Sequence, residues 1–330
     1  MKTRIFFIVA CFAFGLQSCE DDDPTIPPVV SPSVTSEASF TVLKDEAITY
    51  ATGLSHDSLN SASSTTIPLK LDVYYPDNNE AQRPAILLIH GGGFVGGDRT
   101  AISMVNIAQY FASRGFVAAS IDYRKLGDVG TIPQEWITFA NQFVAPSLHN
   151  DFYKLYPAHR DAKAAVRWFM ANANNYNINP NYLTVGGGSA GAVTSITIGI
   201  SDLDDYTTEI SETVDPTLTS TNLNQTYEVK TILDFWGSKV AIDVLEVLYN
   251  KNPYGPHNPS LFIVHGTEDP TVLYSEALAL DSIYTATGAP HVLHTLQGRG
   301  HGPWTATIDG KSLEQTAFEY VVEQQGLILQ

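Results

Sequence analysis

The pentapeptide Gly-Gly-Ser-Ala-Gly at residues 187–191 has the residue types of a nucleophile turn. It directly follows a strand-like segment at 182–185 and runs into a helical pattern at 190–201. A sharp turn between a strand and a helix strains the serine and lifts its hydroxyl clear of the backbone, while small neighbours let the chain cross closely. The pattern therefore predicts a nucleophile at Ser189. The alternative is a glycine-rich turn that this serine only caps.

An acid and a base follow at two later strand ends. Glu268 and Asp269 come just after the apolar run 261–264, and His301 lies between glycines in a loop after the next strand-like segment. Acyl transfer needs a nucleophile, a base that takes its proton and an acid that orients the base. Ser189, Asp269 and His301 can supply these roles in chain order.

A third string, His-Gly-Gly-Gly-Phe at residues 90–94, directly follows the apolar run 85–89. Consecutive glycines are costly in chain entropy, so their place at a strand end needs a reason. Backbone N–H groups that approach a reacting carbonyl oxygen would supply one. A phosphate-binding loop is the rival interpretation, but the sequence fits neither the Walker pattern nor G-x-G-x-x-G.

The elements that must position these residues alternate between strand and helix signals. The strand-like segments are 40–50, 65–75, 85–89, 116–121, 182–185, 229–235, 261–264 and 291–296, and the helical patterns are 99–114, 158–174, 190–201, 239–250, 272–287 and 311–325. Continuous apolar runs are typical of strands buried on both faces of a parallel sheet. The alternation predicts a mostly parallel sheet covered by helices on both sides.

Across residues 40–326 the chain resembles the α/β-hydrolase fold family. Within that family it is most similar to the hormone-sensitive-lipase-like esterases and the carbohydrate-associated feruloyl and acetyl esterases. The resemblance rests on the two glycine strings, on Asp122-Tyr123-Arg124, on Asp161 and on Asn179-Pro180. It implies an eight-stranded, mostly parallel sheet flanked by helices, and a serine carboxylic-ester hydrolase that works through an acyl-enzyme.

The resemblance also implies residue roles. Ser189 would be the nucleophile, His301 the general base and Asp269 the orienting acid, because the family acid falls on the position before Pro270 rather than on Glu268. The amides of Gly92, Gly93 and Ala190 would form the oxyanion hole. No cofactor is expected, and no metal either, because the nine histidines form no helical H-x-x-x-H pair.

Two segments, 124–157 and 202–228, are long for plain connections and are predicted insertions. Aromatic residues in the first indicate a wall for an aromatic or acyl group, unless they are core residues. Phe94 and Trp304, beside the catalytic strings, are the predicted substrate contacts. Between Trp168 and Val229 the chain has seven acids and no Lys or Arg. If these acids are more than a solvated loop, they disfavour an anionic substrate, so we expect a neutral ester.

The amino-terminal residues have the pattern of an export signal. Lys2 and Arg4 precede an apolar stretch at 5–16 that is too short to span a bilayer as a mature helix. The sequence Leu-Gln-Ser-Cys at 16–19 resembles the lipobox of bacterial lipoproteins. This resemblance implies removal of residues 1–18 and a lipid on Cys19, whereas an ordinary signal peptide is the alternative.

The acidic run 20–23 resembles lipoproteins of Bacteroidetes, in which such a run can direct display on the outer surface. We therefore expect residues 19–39 to be a tether to the outer membrane and residues 40–330 to be the catalytic domain. The partners expected are that membrane, through the anchor, and a small-molecule or polysaccharide-linked ester. A formal net charge of −17 argues against a nucleic-acid partner. The oligomeric state stays open.

Two other functions remain open at this point. A serine peptidase can share the triad order, although such peptidases usually carry a large propeller domain. A catalytically silent surface lipoprotein that binds glycans would be expected to lack a triad or oxyanion residue, and all of these residues are present.

Overall fold

The computed structural model describes residues 31–330, in which eight strands form one sheet flanked by helices. The strands are β1 Val42–His56, β2 Ser64–Pro76, β3 Arg83–Ile89, β4 Val117–Ile121, β5 Ile178–Gly188, β6 Val229–Phe235, β7 Ser260–Gly266 and β8 His291–Leu296. The helices are α1 Ile102–Ala112, α2 Gln134–Phe143, α3 His149–Tyr153, α4 Leu155–Ala171, α5 Ala190–Ile200, α6 Val240–Tyr249, α7 Tyr274–Thr287 and α8 Leu313–Gln324.

The sheet order is β1-β2-β4-β3-β5-β6-β7-β8. β2 pairs antiparallel with both β1 and β4, and all other neighbours are parallel. The predicted mostly parallel, eight-stranded sheet is thereby confirmed. Parallel strands bring their carboxyl ends to one edge of the sheet. The glycine loop 90–94, the serine turn 187–191 and the loops with Asp269 and His301 all follow carboxyl ends of such strands.

Strand β3 shows why the sheet is covered on both faces. Its residues Leu87 and Ile89 belong to one buried cluster, which includes residues of α4 and α5. Ile86 and Leu88, which alternate with them along the strand, belong to a second buried cluster with residues of α1 and α8. Successive strand side chains point to opposite faces, so a continuous apolar run supplies both cores.

The insertion 124–157 forms helices α2 and α3, which the sequence patterns did not predict. Its Trp136 is fully buried and contacts the rings of Phe152, Tyr156 and Tyr206. These aromatic residues pack on one another as core, so the predicted aromatic substrate wall is wrong for this segment. The insertion also borders a cavity of about 300 Å³, which contains none of the predicted catalytic residues.

The acid-rich segment 202–228 is held by basic residues of the domain. Asp215 is fully buried and pairs with Arg160 of α4 at 2.7 Å, and Asp205 pairs with Lys251. Beside them Arg124 and Asp161 form a second buried pair at 2.6 Å. Asp215 therefore neutralises a buried cation, and Asp205 a partly exposed one.

The folded domain begins earlier than the predicted residue 40. Ser33–Val34 pairs in parallel with Ile328–Leu329, and the amide of Thr35 donates to the Arg114 carbonyl at 3.0 Å. Val34 is 1% exposed. Residues 33–36 are thus anchored by backbone pairing that composition alone does not reveal, which corrects the carboxyl end of the predicted tether. The signal peptide, Cys19 and the acidic run lie outside the described residues.

Among residues 31–330, no helix combines the length and the apolar character that a membrane crossing requires.

Candidate active site

The turn between β5 and α5 holds Ser189 in a strained backbone conformation. Its φ is 55° and its ψ −122°, a region that costs a non-glycine residue about 1–3 kcal/mol. The Ser189 amide donates to the Phe235 carbonyl at 2.9 Å, which ties the turn to the neighbouring strand. Gly191 must be glycine because a Cβ there would collide with the Ile89 carbonyl. The turn thus has the geometry that the pentapeptide predicts.

Ser189, His301 and Asp269 form one hydrogen-bonded line. His301 Nε2 lies 2.9 Å from Ser189 Oγ, and His301 Nδ1 lies 2.7 Å from Asp269 Oδ2. A carboxylate can only accept, so the imidazole proton is on Nδ1 and Nε2 is free to accept from the serine hydroxyl. The structure therefore brings together three residues that are 32 and 112 positions apart in the chain.

Asp269 is buried but remains an anion. Burial acts to raise its pKa, but the hydrogen bond from His301 and those from the Thr271 and Val272 amides, at 2.8 and 3.0 Å, hold the pKa below its usual value. The neighbouring Glu268 is not part of this line, because His301 Nδ1 bonds to Asp269; the Glu268 amide donates to the Arg299 carbonyl at 2.9 Å. Asp269 can therefore stabilise an imidazolium while staying ionised.

The glycine loop after β3 turns back on itself beside Ser189. Gly92 has a φ of 110°, and its carbonyl accepts from the amides of Val95 and Gly96, both at 3.0 Å. Among the backbone hydrogen bonds of residues 31–330 outside regular elements, none is donated by Gly92, Gly93 or Ala190. Ala190 begins α5, and amides of a first helical turn have no partner within the helix. These three amides are available to a negatively charged oxygen.

Ser189 and His301 line an open pocket of about 500 Å³. Gly92, Gly93 and the predicted contact Trp304 also border it. Phe94 does not. It is 5% exposed and packs in the core, with its ring 6.0 Å from that of Tyr123. The prediction of Phe94 as a substrate contact is therefore wrong, because its side chain is buried in the core and does not border the pocket.

Trp236, which was not among the predicted site residues, borders the same pocket. Its ring lies 4.5 Å from that of Trp304 in an edge-to-face contact. Trp236 directly follows β6, the strand next to the nucleophile strand β5, and this position was the signal that could have found it. The lining includes no Asp, Glu, Lys or Arg.

The strand order, the turn after β5 and the side chains placed after β7 and β8 define the α/β-hydrolase fold. The BD-FAE family model matches residues 71–135 and 153–255, just over half of the chain. The protein belongs to the BD-FAE family. The matched residues include the glycine loop and Ser189 but end before Asp269 and His301, and they exclude most of α2 and all but the last residue of α3.

The chain is also similar to curated esterases and to solved structures. Esterase LipC of Mycobacterium tuberculosis is 25% identical over 66% of this chain and 53% of its own length. Gut esterase 1 of Caenorhabditis briggsae is 30% identical over 38% of this chain and 19% of its own length. The chain thus spans about half, or less, of the length of these relatives. A propionate-bound esterase of Thermogutta terrifontis superposes with a TM-score of 0.55 and 21% identity, over 78% of this chain and 90% of that one.

Proposed function

We propose that the protein is a serine esterase that hydrolyses carboxylic esters through an acyl-enzyme. The observation that carries this proposal is the continuous line from Asp269 through His301 to Ser189 Oγ, which opens on a pocket bordered by unpaired amides. The esterase names of the relatives support the same class.

The geometry suits a two-step reaction. Ser189 Oγ attacks the ester carbonyl carbon while His301 Nε2 takes the hydroxyl proton, and the carbonyl oxygen becomes an oxyanion next to the amides of Gly92, Gly93 and Ala190. The carbon–oxygen bond to the alcohol then breaks, and the alcohol leaves with the proton from His301. Water then gives a proton to His301 and attacks the acyl carbon. The bond from that carbon to Ser189 Oγ breaks, His301 returns the proton to Oγ, and the acid is released. One oxyanion donor typically contributes about 3–4 kcal/mol of transition-state stabilisation.

The pocket favours a neutral ester. Its lining contains no Asp, Glu, Lys or Arg, and His301 is its one titratable side chain. A charged substrate would therefore lose hydration there without gaining a permanent counter-ion. This is a better reason than the acids of 202–228, none of which borders the pocket. Trp236 and Trp304 offer aromatic surface to an aryl or short acyl group. Within this class we propose a feruloyl or acetyl ester carried on a plant or algal polysaccharide.

The decisive test is the Ser189→Ala variant of the purified 20–330 protein. We expect wild type to hydrolyse p-nitrophenyl acetate and to be labelled by a fluorophosphonate probe, and the variant to do neither. Wild-type protein that is inert to both reagents but binds oligosaccharides in calorimetry would support a silent glycan-binding lipoprotein instead. Cleavage of peptide p-nitroanilides in preference to esters would support a peptidase.

A substrate panel then separates the ester types. Methyl ferulate, aryl acetates and acetylated sugars should give different kcat/KM values if the two tryptophans select the acyl group. Equal values for all three would remove the aromatic-contact argument.

We also propose that Cys19 carries a lipid that attaches the protein to the bacterial outer membrane, with the domain displayed at the cell surface. This proposal rests on the lipobox-like string and the acidic run. Labelled palmitate should be incorporated into wild type and not into Cys19→Ala. Unlabelled, freely secreted wild type would contradict the anchor.

A further inference from the structure

His265, at the end of β7, lies fully buried beside the catalytic line. Its Nε2 is 2.8 Å from the Val272 carbonyl oxygen and 3.4 Å from Asp269 Oδ2. The carbonyl can only accept, so the proton of His265 is on Nε2. Its Nδ1 is buried without a hydrogen-bond partner among residues 31–330, which fits a neutral ring that keeps this single proton.

Val272 links His265 to Asp269 a second time. Its amide donates to Asp269 Oδ1 at 3.0 Å while its carbonyl accepts from His265. The turn that carries Asp269 is therefore closed by a ring of contacts that runs from His265 through Val272 to the carboxylate. The same carboxylate oxygen that faces His265 also accepts from His301, at 2.7 Å.

We propose that His265 is a positioning residue of the active site. Its Nε2–H holds the turn of residues 267–272 through Val272, and the positive end of this N–H dipole faces Asp269 Oδ2. It thereby fixes the direction from which the carboxylate meets His301 and moderates the basicity of the oxygen that stabilises the imidazolium. The inference rests on the proposed esterase mechanism for its kinetic part only.

Burial lowers the pKa of His265, with the Val272 carbonyl and Asp269 acting in the opposite direction. The other titratable groups that face it are His301, Tyr274, whose ring lies 6.0 Å away, and Glu276 of α7. His301 disfavours a charge on His265, and Glu276 favours one. The net effect lowers the pKa of His265, which favours the neutral ring that its single Nε2–H contact requires.

Two variants separate positioning from simple packing. His265→Leu introduces an apolar side chain of similar size and removes the Nε2–H donor. His265→Gln places an amide N–H close to the position of Nε2. We expect His265→Leu to lower kcat/KM about tenfold, a loss equivalent to about 1.4 kcal/mol, and His265→Gln to restore most of it.

The pH dependence of kcat/KM distinguishes positioning from packing more sharply than its value at one pH. Without the dipole, Asp269 is more basic and stabilises the imidazolium of His301 more strongly. The acid limb of kcat/KM should therefore move to higher pH in His265→Leu, by about half a pH unit. A side chain that only packs would lower activity by the same factor at every pH.

The matched control is His149→Leu. His149 also places a ring nitrogen 3.0 Å from backbone carbonyls, those of Ala140 and Val144, but it lies in the insertion and does not border the pocket. We expect this variant to keep the wild-type pH profile.

A measurement without substrate keeps the inference independent of the esterase proposal. The pKa of His301, followed by NMR titration of ¹⁵N-histidine-labelled protein, should be higher in His265→Leu than in wild type or His265→Gln. An unchanged His301 titration in folded His265→Leu would overturn the inference, whatever the substrate proves to be. If His265→Leu does not fold, failure of His265→Gln to retain the wild-type titration overturns it equally.

Discussion

Asp234, at the end of β6, should make the protein less stable as the pH rises. Its carboxyl group is fully buried: Oδ1 accepts from the Gly237 amide at 2.6 Å, and Oδ2 has no partner among the described residues. Burial raises the pKa of Asp234 from 3.8 to about 7, although the hydrogen bond from Gly237 acts in the opposite direction. The folded state therefore holds this proton more tightly than the unfolded chain does.

The sign and size of the effect follow from that difference. A shift of about 3 pKa units corresponds to about 4 kcal/mol at most, since each unit is worth about 1.4 kcal/mol. This contribution to stability is fully present below about pH 4, falls through the window from pH 4 to 7, and is absent above it. Between pH 5 and 8 the loss amounts to about 2–3 kcal/mol.

The Asp234→Asn variant isolates this effect, because Asn keeps an acceptor for the Gly237 amide and cannot ionise. Urea unfolding of both proteins from pH 5 to 8 should show that the stability of the variant relative to wild type grows by about 2–3 kcal/mol across that range. The difference between the two proteins cancels the titration of all other groups. A difference that is constant with pH would refute the reasoning, since it would mean that Asp234 is ionised in the folded state throughout.

Three further outcomes follow from the structure. Arg124→Met should lower the free energy of unfolding by roughly 3–5 kcal/mol, measured by urea denaturation, because Asp161 would remain buried without its cation. Trp304→Ala should raise KM for aryl esters more than for acetylated sugars in steady-state kinetics, because it removes aromatic surface from the pocket. Val34→Asp should lower the free energy of unfolding by roughly 3 kcal/mol, measured in the same way, because Val34 is 1% exposed.

Each outcome has its own control. Lys311→Met breaks an exposed ion pair and should lower the free energy of unfolding by less than about 1 kcal/mol. If Arg124→Met lowers it by no more than that, burial does not strengthen the Arg124–Asp161 pair. Val214→Asp alters a side chain that is 59% exposed and should be nearly neutral. If Val34→Asp is also neutral, the folded domain begins near residue 40 after all. A uniform KM increase in Trp304→Ala would indicate a general loss of pocket shape.

Much of the fold could be predicted because its signals are local. The predicted helix at 190–201 corresponds to Ala190–Ile200 and that at 239–250 to Val240–Tyr249. Apolar runs such as that of β3 mark buried parallel strands, because side chains on both faces of such a strand are buried. The helices α2 and α3 were not predicted, because they are short, at ten and five residues, and only Trp136 and Ala140 of α2 are buried.

The amino-acid order is enough to show which residue types stand at the strand ends: a serine in a glycine turn, an acid before Pro270 and a histidine between glycines. Which side chains share the pocket depends on how the chain folds in three dimensions. Trp236 borders the pocket and Phe94 does not, because the direction of a side chain depends on backbone angles and on packing between strands that are distant in the chain. The same holds for His265 and Val272, whose contacts with Asp269 exist only after the turn has closed on the sheet edge. Local patterns reveal elements, whereas long-range packing sets the distances on which chemistry depends.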